Sequence, residues 1–337
     1  MSSLKTNYLG IELKNPIIVG ASNLVSDLDI VKKMEDAGAS AIVYKSLFEE
    51  QIQLESFELE EELNAYNNIH AEMNSLFPEL QHAGPEEHLM KLEKLKNTVG
   101  IPVIGSLNAV FEPTWAEYAL ELEKLGVAAL ELNFYAVPKD FEKDEANIIN
   151  EQLSVLKKVL GKVKIPVSVK LSPYYTNILK IIKSMDELGV NGFVLFNRLF
   201  QPDIDINKEE MFFPYNLSNH EDNRLALRFA GLLYDKLNGS ICSSRGILDG
   251  KDVIKMILAG ADCVQVVSTL YRNKPEHIKT MLSDVENWMD SKNYMGLNDF
   301  KGKLSQKNSN DPFSYKRAQY VDILMKSDAI FNIYPKR

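Results

Sequence analysis

The chain has 337 residues, 45% hydrophobic and 25% charged, a composition that fits a soluble globular protein and excludes disordered, collagenous and membrane classes. The net charge is -9, and the acidic residues are dispersed except for the run Glu49 to Glu62, so no electrostatic footprint for nucleic acid or an anionic membrane is present. Neither of the two cysteines, Cys242 and Cys263, lies in a C-x-x-C pair; this excludes a self-contained iron–sulfur or zinc site and a disulfide framework, and it fits a reducing cytoplasm.

From the N-terminus, residues Leu4 to Leu13 alternate around the turn-forming pair Leu9-Gly10 and predict a small hairpin. The start has no apolar h-region, and no run of about 18 apolar residues follows anywhere, so neither export nor membrane spanning is expected. Pro16 opens the apolar run Ile17 to Ala21, the first buried strand. A helical pattern from Asp29 then stops at Gly38, and the strand Ala41 to Ser46 follows, ending in polar groups.

That unit of helix, glycine stop, apolar strand and polar tip recurs at Leu122 to Phe134, Met185 to Asn197 and Met256 to Ser268. Further strands are expected at Ile101 to Asn108, Ile165 to Pro173 and Asn238 to Ser244, making eight in all. Near-continuous apolar strands separated by helices indicate a parallel sheet covered on both faces, and eight without a composition break predict an α/β fold of the TIM (β/α)8 barrel type. A doubly wound open sheet is the architectural alternative. Residues 1–304 are expected to form the single barrel domain, and 305–337 an extension packing on the barrel or on a partner subunit.

In a barrel the polar tips Lys45, Ser46, Asn108, Asn133, Lys170, Asn197, Ser243 and Ser268 share the C-terminal face, where barrel enzymes hold their chemistry. Two insertions elaborate that face. Glu49 to Pro85 carries an acidic, partly amphipathic stretch, either a helix plus loop over the mouth or a solvated face, and Phe200 to Asn223 is long enough for a lid or binding loop. A Gly-bearing turn at Gly246 and the segment after the eighth strand can supply converging backbone amides for one phosphate.

With the tips placed, the chain resembles the dihydroorotate dehydrogenase family, in particular the soluble class 1 type and its dihydroorotate dehydrogenase-like relatives. The matching pieces are NPIIVGAS (Asn15 to Ser22), YKS (Tyr44 to Ser46), GSL (Gly105 to Leu107), ELN (Glu131 to Asn133), VKLSPY (Val169 to Tyr174), RGILDGKD (Arg245 to Asp252) and AGADCVQVVSTL (Ala259 to Leu270). The resemblance implies an FMN-dependent oxidoreductase of pyrimidine metabolism that exchanges a hydride with a small planar substrate. It also implies a soluble electron acceptor or separate redox partner, and a homodimer.

On this resemblance Gly246, with the amides of Ser268 and Thr269, holds the flavin phosphate, and Ser244 and Arg245 belong to the same turn. Lys170 sits beside the N1 and O2 end of the ring, and Lys45 beside flavin and substrate; the rival reading is that these lysines ion-pair with Glu131 across the barrel. Ala21 and Ser22 pass under the ring, Ser46 and Asn108 lie near its polar rim, and Asn133 and Asn197 bind substrate.

The loop after the fourth strand departs from the family. Its class 1 members carry a catalytic cysteine there, but this loop reads Asn133-Phe134-Tyr135-Ala136-Val137-Pro138, and the cysteine position falls on Ala136 or Val137. Neither can act as a base, and Tyr135 is the nearest ionisable substitute. Arg198 replaces a small residue expected near substrate and could meet a carboxylate. The segment Asn67 to Asn74 lies where the family has an Asn-rich substrate loop. Two rival functions follow: a flavin-binding or ligand-binding barrel that has lost dehydrogenase activity with the cysteine, and a flavin-free aldolase or isomerase using Lys170 as a Schiff-base lysine.

Overall fold

The computed structural model describes residues 2–48, 85–108, 112–134, 141–142, 144–198, 202–212, 214, 217–310, 314–316, 321 and 325. Thirteen strands occur among them: β1 (Thr6–Tyr8), β2 (Ile11–Leu13), β3 (Ile17–Val19), β4 (Ala41–Val43), β5 (Leu47–Phe48), β6 (Val103–Asn108), β7 (Ala129–Phe134), β8 (Val167–Leu171), β9 (Gly192–Leu195), β10 (Asp203–Asp205), β11 (Glu210–Phe212), β12 (Ser240–Ser243) and β13 (Cys263–Val266).

Eight of these close into a parallel barrel. The neighbours run β3, β4, β6, β7, β8, β9, β12, β13 and back to β3, the ring being closed by the β4–β6 and β13–β3 pairings. The doubly wound alternative is thereby excluded. Helices between successive strands cover the outside, and their caps follow local chemistry: Asp27 accepts from the amides of Asp29 and Ile30 to start the helix Leu28–Asp36, and Asp249 accepts from Asp252 to start Gly250–Ala259.

The barrel interior is filled at its lower end. β1 and β2 form the expected antiparallel hairpin, its turn carried by Leu9 and Gly10 at φ 58° and 79°, the primed geometry that suits strand twist. Tyr8, Leu9 and Leu13 pack there against inward residues such as Ile18, Val43, Ile104, Val194, Cys242 and Cys263. Gly192 makes room for this plug, because a Cβ on it would lie 2.5 Å from Leu9 Cδ2. With the bottom sealed, only the upper end can be hollow, and all the expected polar tips lie at that end.

Of the two insertions, 49–84 lies outside the described residues, and so does the segment Asn67 to Asn74. The second insertion holds the antiparallel pair β10–β11 and a 3-10 turn, His220–Asp222, that leads into the helix Asn223–Leu233. At the C-terminal side, Gln306 donates its amide to the Gly231 carbonyl, and Tyr315 is bound by Arg228 through its carbonyl and to Leu304 through its hydroxyl. No helix among the described residues is long and apolar enough to cross a membrane.

Candidate active site

The strand ends open onto a cavity of about 680 Å³, a size that suits a small-molecule ligand. Ala21, Ser22, Lys45, Ser46, Asn108, Asn133, Lys170, Asn197, Ser244, Arg245, Gly246 and Ser268 all line it. Thr269 does not: its hydroxyl is buried and donates to the Leu248 carbonyl at 2.8 Å, tying the start of helix Ser268–Asn273 to the turn beside it. Tyr135, with Ala136, Val137 and Pro138, lies outside the described residues.

One end of the cavity is built around Gly246. Its φ is 64°, and a Cβ there would stand 2.5 Å from the Asn219 carbonyl oxygen and 2.7 Å from the Asn223 nitrogen, so only glycine lets the two segments approach. Asn223 donates to the Gly246 carbonyl at 3.1 Å and to Asp252 at 2.9 Å. Asp252 is fully buried and also accepts from the Leu248 amide and from Lys255, and it pairs with His220. Burial alone raises the pKa of this carboxyl, but the Leu248 amide, Lys255 and His220 outweigh it and hold the group below the usual aspartate range. The carbonyl side of the turn is thus tied back.

Arg245 precedes this glycine at φ 74°, a conformation that suits glycine better than arginine. Its Nε is buried without a hydrogen-bond partner among the described residues, and one guanidinium nitrogen lies 3.7 Å from Asp222. Asp222 also accepts from Arg198 at 2.6 Å and from the Asn219 amide at 2.8 Å. Arg198 donates further to Ser218, whose own amide donates to Ser268 Oγ at 3.0 Å. The carboxylate that Arg198 meets is therefore one the chain itself provides, and the residues 217–222 form a strap over the turn.

The floor is polar and closed on itself. Lys170 donates to Glu131 at 3.3 Å and to Gln265 at 2.9 Å, and Gln265 donates in turn to the other Glu131 oxygen. Glu131 is 1% exposed and Lys170 7%. The ion pair anticipated as the rival reading exists for Lys170, and Lys170 nonetheless lines the cavity; the pairing places the lysine there rather than removing it. Lys45 is half-buried and makes no ion pair among the described residues, so its ammonium is available to the cavity.

Beside these charges, Asn133 donates to Ser106 at 2.9 Å and to the Leu107 carbonyl at 3.2 Å, with Ser46 at 3.3 Å from the same nitrogen. Ser46 and Ser106 share a hydrogen bond of 2.7 Å. The amide is thereby fixed by one end. Gln265 also lines the cavity, as do Ser218 and Pro202 from the long connection expected to be a lid or binding loop, though none of the three is singled out by the sequence as a site residue. The one polar residue within the apolar strand Cys263–Val266 was a usable signal for Gln265; nothing marked Ser218 or Asp222 within a connection rich in polar residues.

The family model for dihydroorotate dehydrogenase matches residues 3–289 of this chain. The chain belongs to the dihydroorotate dehydrogenase family. Among its relatives, the "Dihydroorotate dehydrogenase B (NAD(+)), catalytic subunit" of Methanocaldococcus jannaschii is 27% identical over 300 residues, covering 86% of this chain and 94% of the relative. The protein of the same name from Thermoplasma volcanium is 26% identical over 307 residues, covering 90% and 98%. That of Methanocella arvoryzae is 30% identical over 299 residues, covering 85% and 93%.

Dihydroorotate dehydrogenases are FMN-dependent oxidoreductases acting on a CH–CH group. The described residues fit that cofactor. Two buried polar atoms on cavity-lining residues, Ser22 Oγ and Arg245 Nε, have no partner among the described residues, and a ligand rich in acceptors would supply one. The glycine turn and the guanidinium suit a phosphate, whereas Lys45 and Lys170 suit an electron-rich ring edge.

Proposed function

We propose that this dihydroorotate dehydrogenase family member oxidises dihydroorotate or a closely related dihydropyrimidine, and that electrons then leave to a separate partner or soluble acceptor in the cytoplasm. The convergence of Lys45, Lys170, Asn133 and Asn197 on a cavity with an anion-suited turn at its far end carries this reading. Bound FMN supplies the two-electron chemistry at the substrate's CH–CH bond. The chain does the rest: the turn Ser244 to Gly246 and the amides after β13 would hold the phosphate, and Ala21, Ser22, Ser46 and Asn108, which line the same cavity, would hold the ring. Asn133, fixed through Ser106, and Asn197 orient the planar substrate, and Lys45 faces both ligands.

The names of the relatives as catalytic subunits, with NAD(+), support a separate redox partner; a homodimer is our further expectation for the assembly. We also assign 1–304 to the barrel and 305–337 to the extension. A second reading, binding without turnover, is favoured by one observation: Ala136 and Val137 stand where the class 1 cysteine is expected. Anaerobic addition of dihydroorotate to the FMN-loaded protein separates the two. Bleaching of the flavin absorbance is expected, and tight orotate binding with unchanged colour would favour the second reading.

A further inference from the structure

Glu131, Lys170 and Gln265 come from three strands, β7, β8 and β13, yet their polar ends form a closed ring of hydrogen bonds beneath the cavity. An ammonium has three N–H donors. Two are taken by Glu131 and Gln265, which leaves one for whatever occupies the cavity. A lysine on four methylenes is mobile and strongly hydrated, so holding its charge at one buried point requires partners that supply both geometry and compensating charge. Gln265 supplies the geometry at 2.9 Å, and Glu131 the charge at 3.3 Å. Gln265 also ties Glu131 in place, so neither acceptor can swing away alone.

We propose that Glu131 and Gln265 are positioning residues: they keep the Lys170 side chain charged and aimed at the cavity, and so decide how many protons accompany two-electron reduction of the bound flavin. This rests on the FMN reading above. Negative charge gathers on the flavin as it takes up two electrons. In the native protein that charge meets an ammonium already in place, and no proton moves to Lys170. Without the Glu131 carboxylate, burial favours the neutral amine while the flavin is oxidised. Arrival of two electrons, supplied by dithionite in the experiment, then draws one proton from solvent onto the amine.

The extra proton has a defined signature. One additional proton per two electrons changes the reduction equilibrium constant by a further factor of ten per pH unit, which adds about 30 mV per pH unit to the slope for a two-electron couple. Redox titration of the FMN-loaded protein against reference dyes, across roughly three pH units, is expected to show that steeper slope in Glu131→Gln. Glu131→Asp, which keeps the charge, returns towards the native slope. Adding Glu131→Gln to Lys170→Met steepens nothing, because no amine remains to be protonated.

If Glu131→Gln does not fold, Gln265→Met, close in volume but without donor or acceptor, is expected to show part of the same steepening. A native slope in the flavin-loaded Glu131→Gln protein, or in Gln265→Met when only that variant folds, overturns this inference and leaves the assigned function standing. Native protein that takes up no FMN overturns both.

Discussion

The Asp222 carboxylate accepts a hydrogen bond from Arg198 at 2.6 Å, fastening the strap over the Gly246 turn to the segment that follows β9. It also caps its own turn through the Asn219 amide and lies 3.7 Å from Arg245. Burial alone would raise the pKa of this carboxyl, but the Asn219 amide, Arg198 and Arg245 outweigh it and hold the group below the usual aspartate range. Asp222→Asn is expected to cost about 1–3 kcal/mol at neutral pH, from a lost cap and a weakened charged contact. A depressed carboxyl contributes stability that is present above its unfolded value and is lost as pH falls through the folded value. The gap between native protein and variant in urea melts should therefore close in acid, and a gap that persists there would mean the charge is not its source.

Arg245 occupies a backbone conformation that glycine would adopt at no steric cost. Its retention is explained if the guanidinium contacts the phosphate, since a charge-assisted hydrogen bond contributes about 1.5–3 kcal/mol. Arg245→Gly should weaken FMN binding by roughly 10- to 100-fold and flatten its salt dependence, while riboflavin, which has no phosphate, binds as before. Fluorescence titration with the two flavins reads this directly. Equal losses for both would place the arginine's role in the fold.

His88, on the helix Glu86–Lys96, packs edge-on against Tyr44, and its Nε2 is buried without a partner among the described residues. Burial, with Lys45 and Lys91 nearby, pushes its pKa down from 6.5 to about 4. The unfolded chain therefore binds the proton more readily, and stability is lost as pH falls from the ordinary histidine value towards the folded one. The loss is at most about 3 kcal/mol. His88→Asn should flatten the pH dependence of chemical denaturation in that window, and an unchanged slope would assign the acid sensitivity to other groups.

The barrel and most of its mouth were legible in the sequence because strand periodicity fixes both. Polar residues at the ends of otherwise apolar parallel strands have one place to go, and Lys45, Asn108, Asn133 and Lys170 went there. Gln265 was legible by the same logic, as a lone polar side chain within β13, but its meaning depended on finding Glu131 and Lys170 across the barrel. Asp222 was not legible: it lies in a connection where acidic and amide residues are common, and its importance comes from Arg198 and Arg245, far away in sequence. The Thr269 hydroxyl, turned into the packing behind the site, leaves that residue only the backbone amide that the sequence reading assigned to it.

The loop after β7 yields the remaining prediction. A general base at the proton-abstracting position contributes about 100- to 10,000-fold to rate, and Ala136 and Val137 offer none. Tyr135, with a tyrosine's ordinary pKa near 10, is a poor base without activation. Introducing cysteine at Ala136 or at Val137 should therefore raise the rate of flavin reduction by dihydroorotate at least 100-fold in whichever variant restores the register. The rate should rise with pH as the thiol ionises, with a midpoint in the ordinary cysteine range. Tyr135→Phe in the native background distinguishes the competing source of a base: a large loss there would identify the tyrosine as the working group. If neither cysteine variant gains rate and Tyr135→Phe loses none, proton removal does not limit the reaction, and the choice of substrate must be sought at Asn133, Asn197 and Lys45 instead.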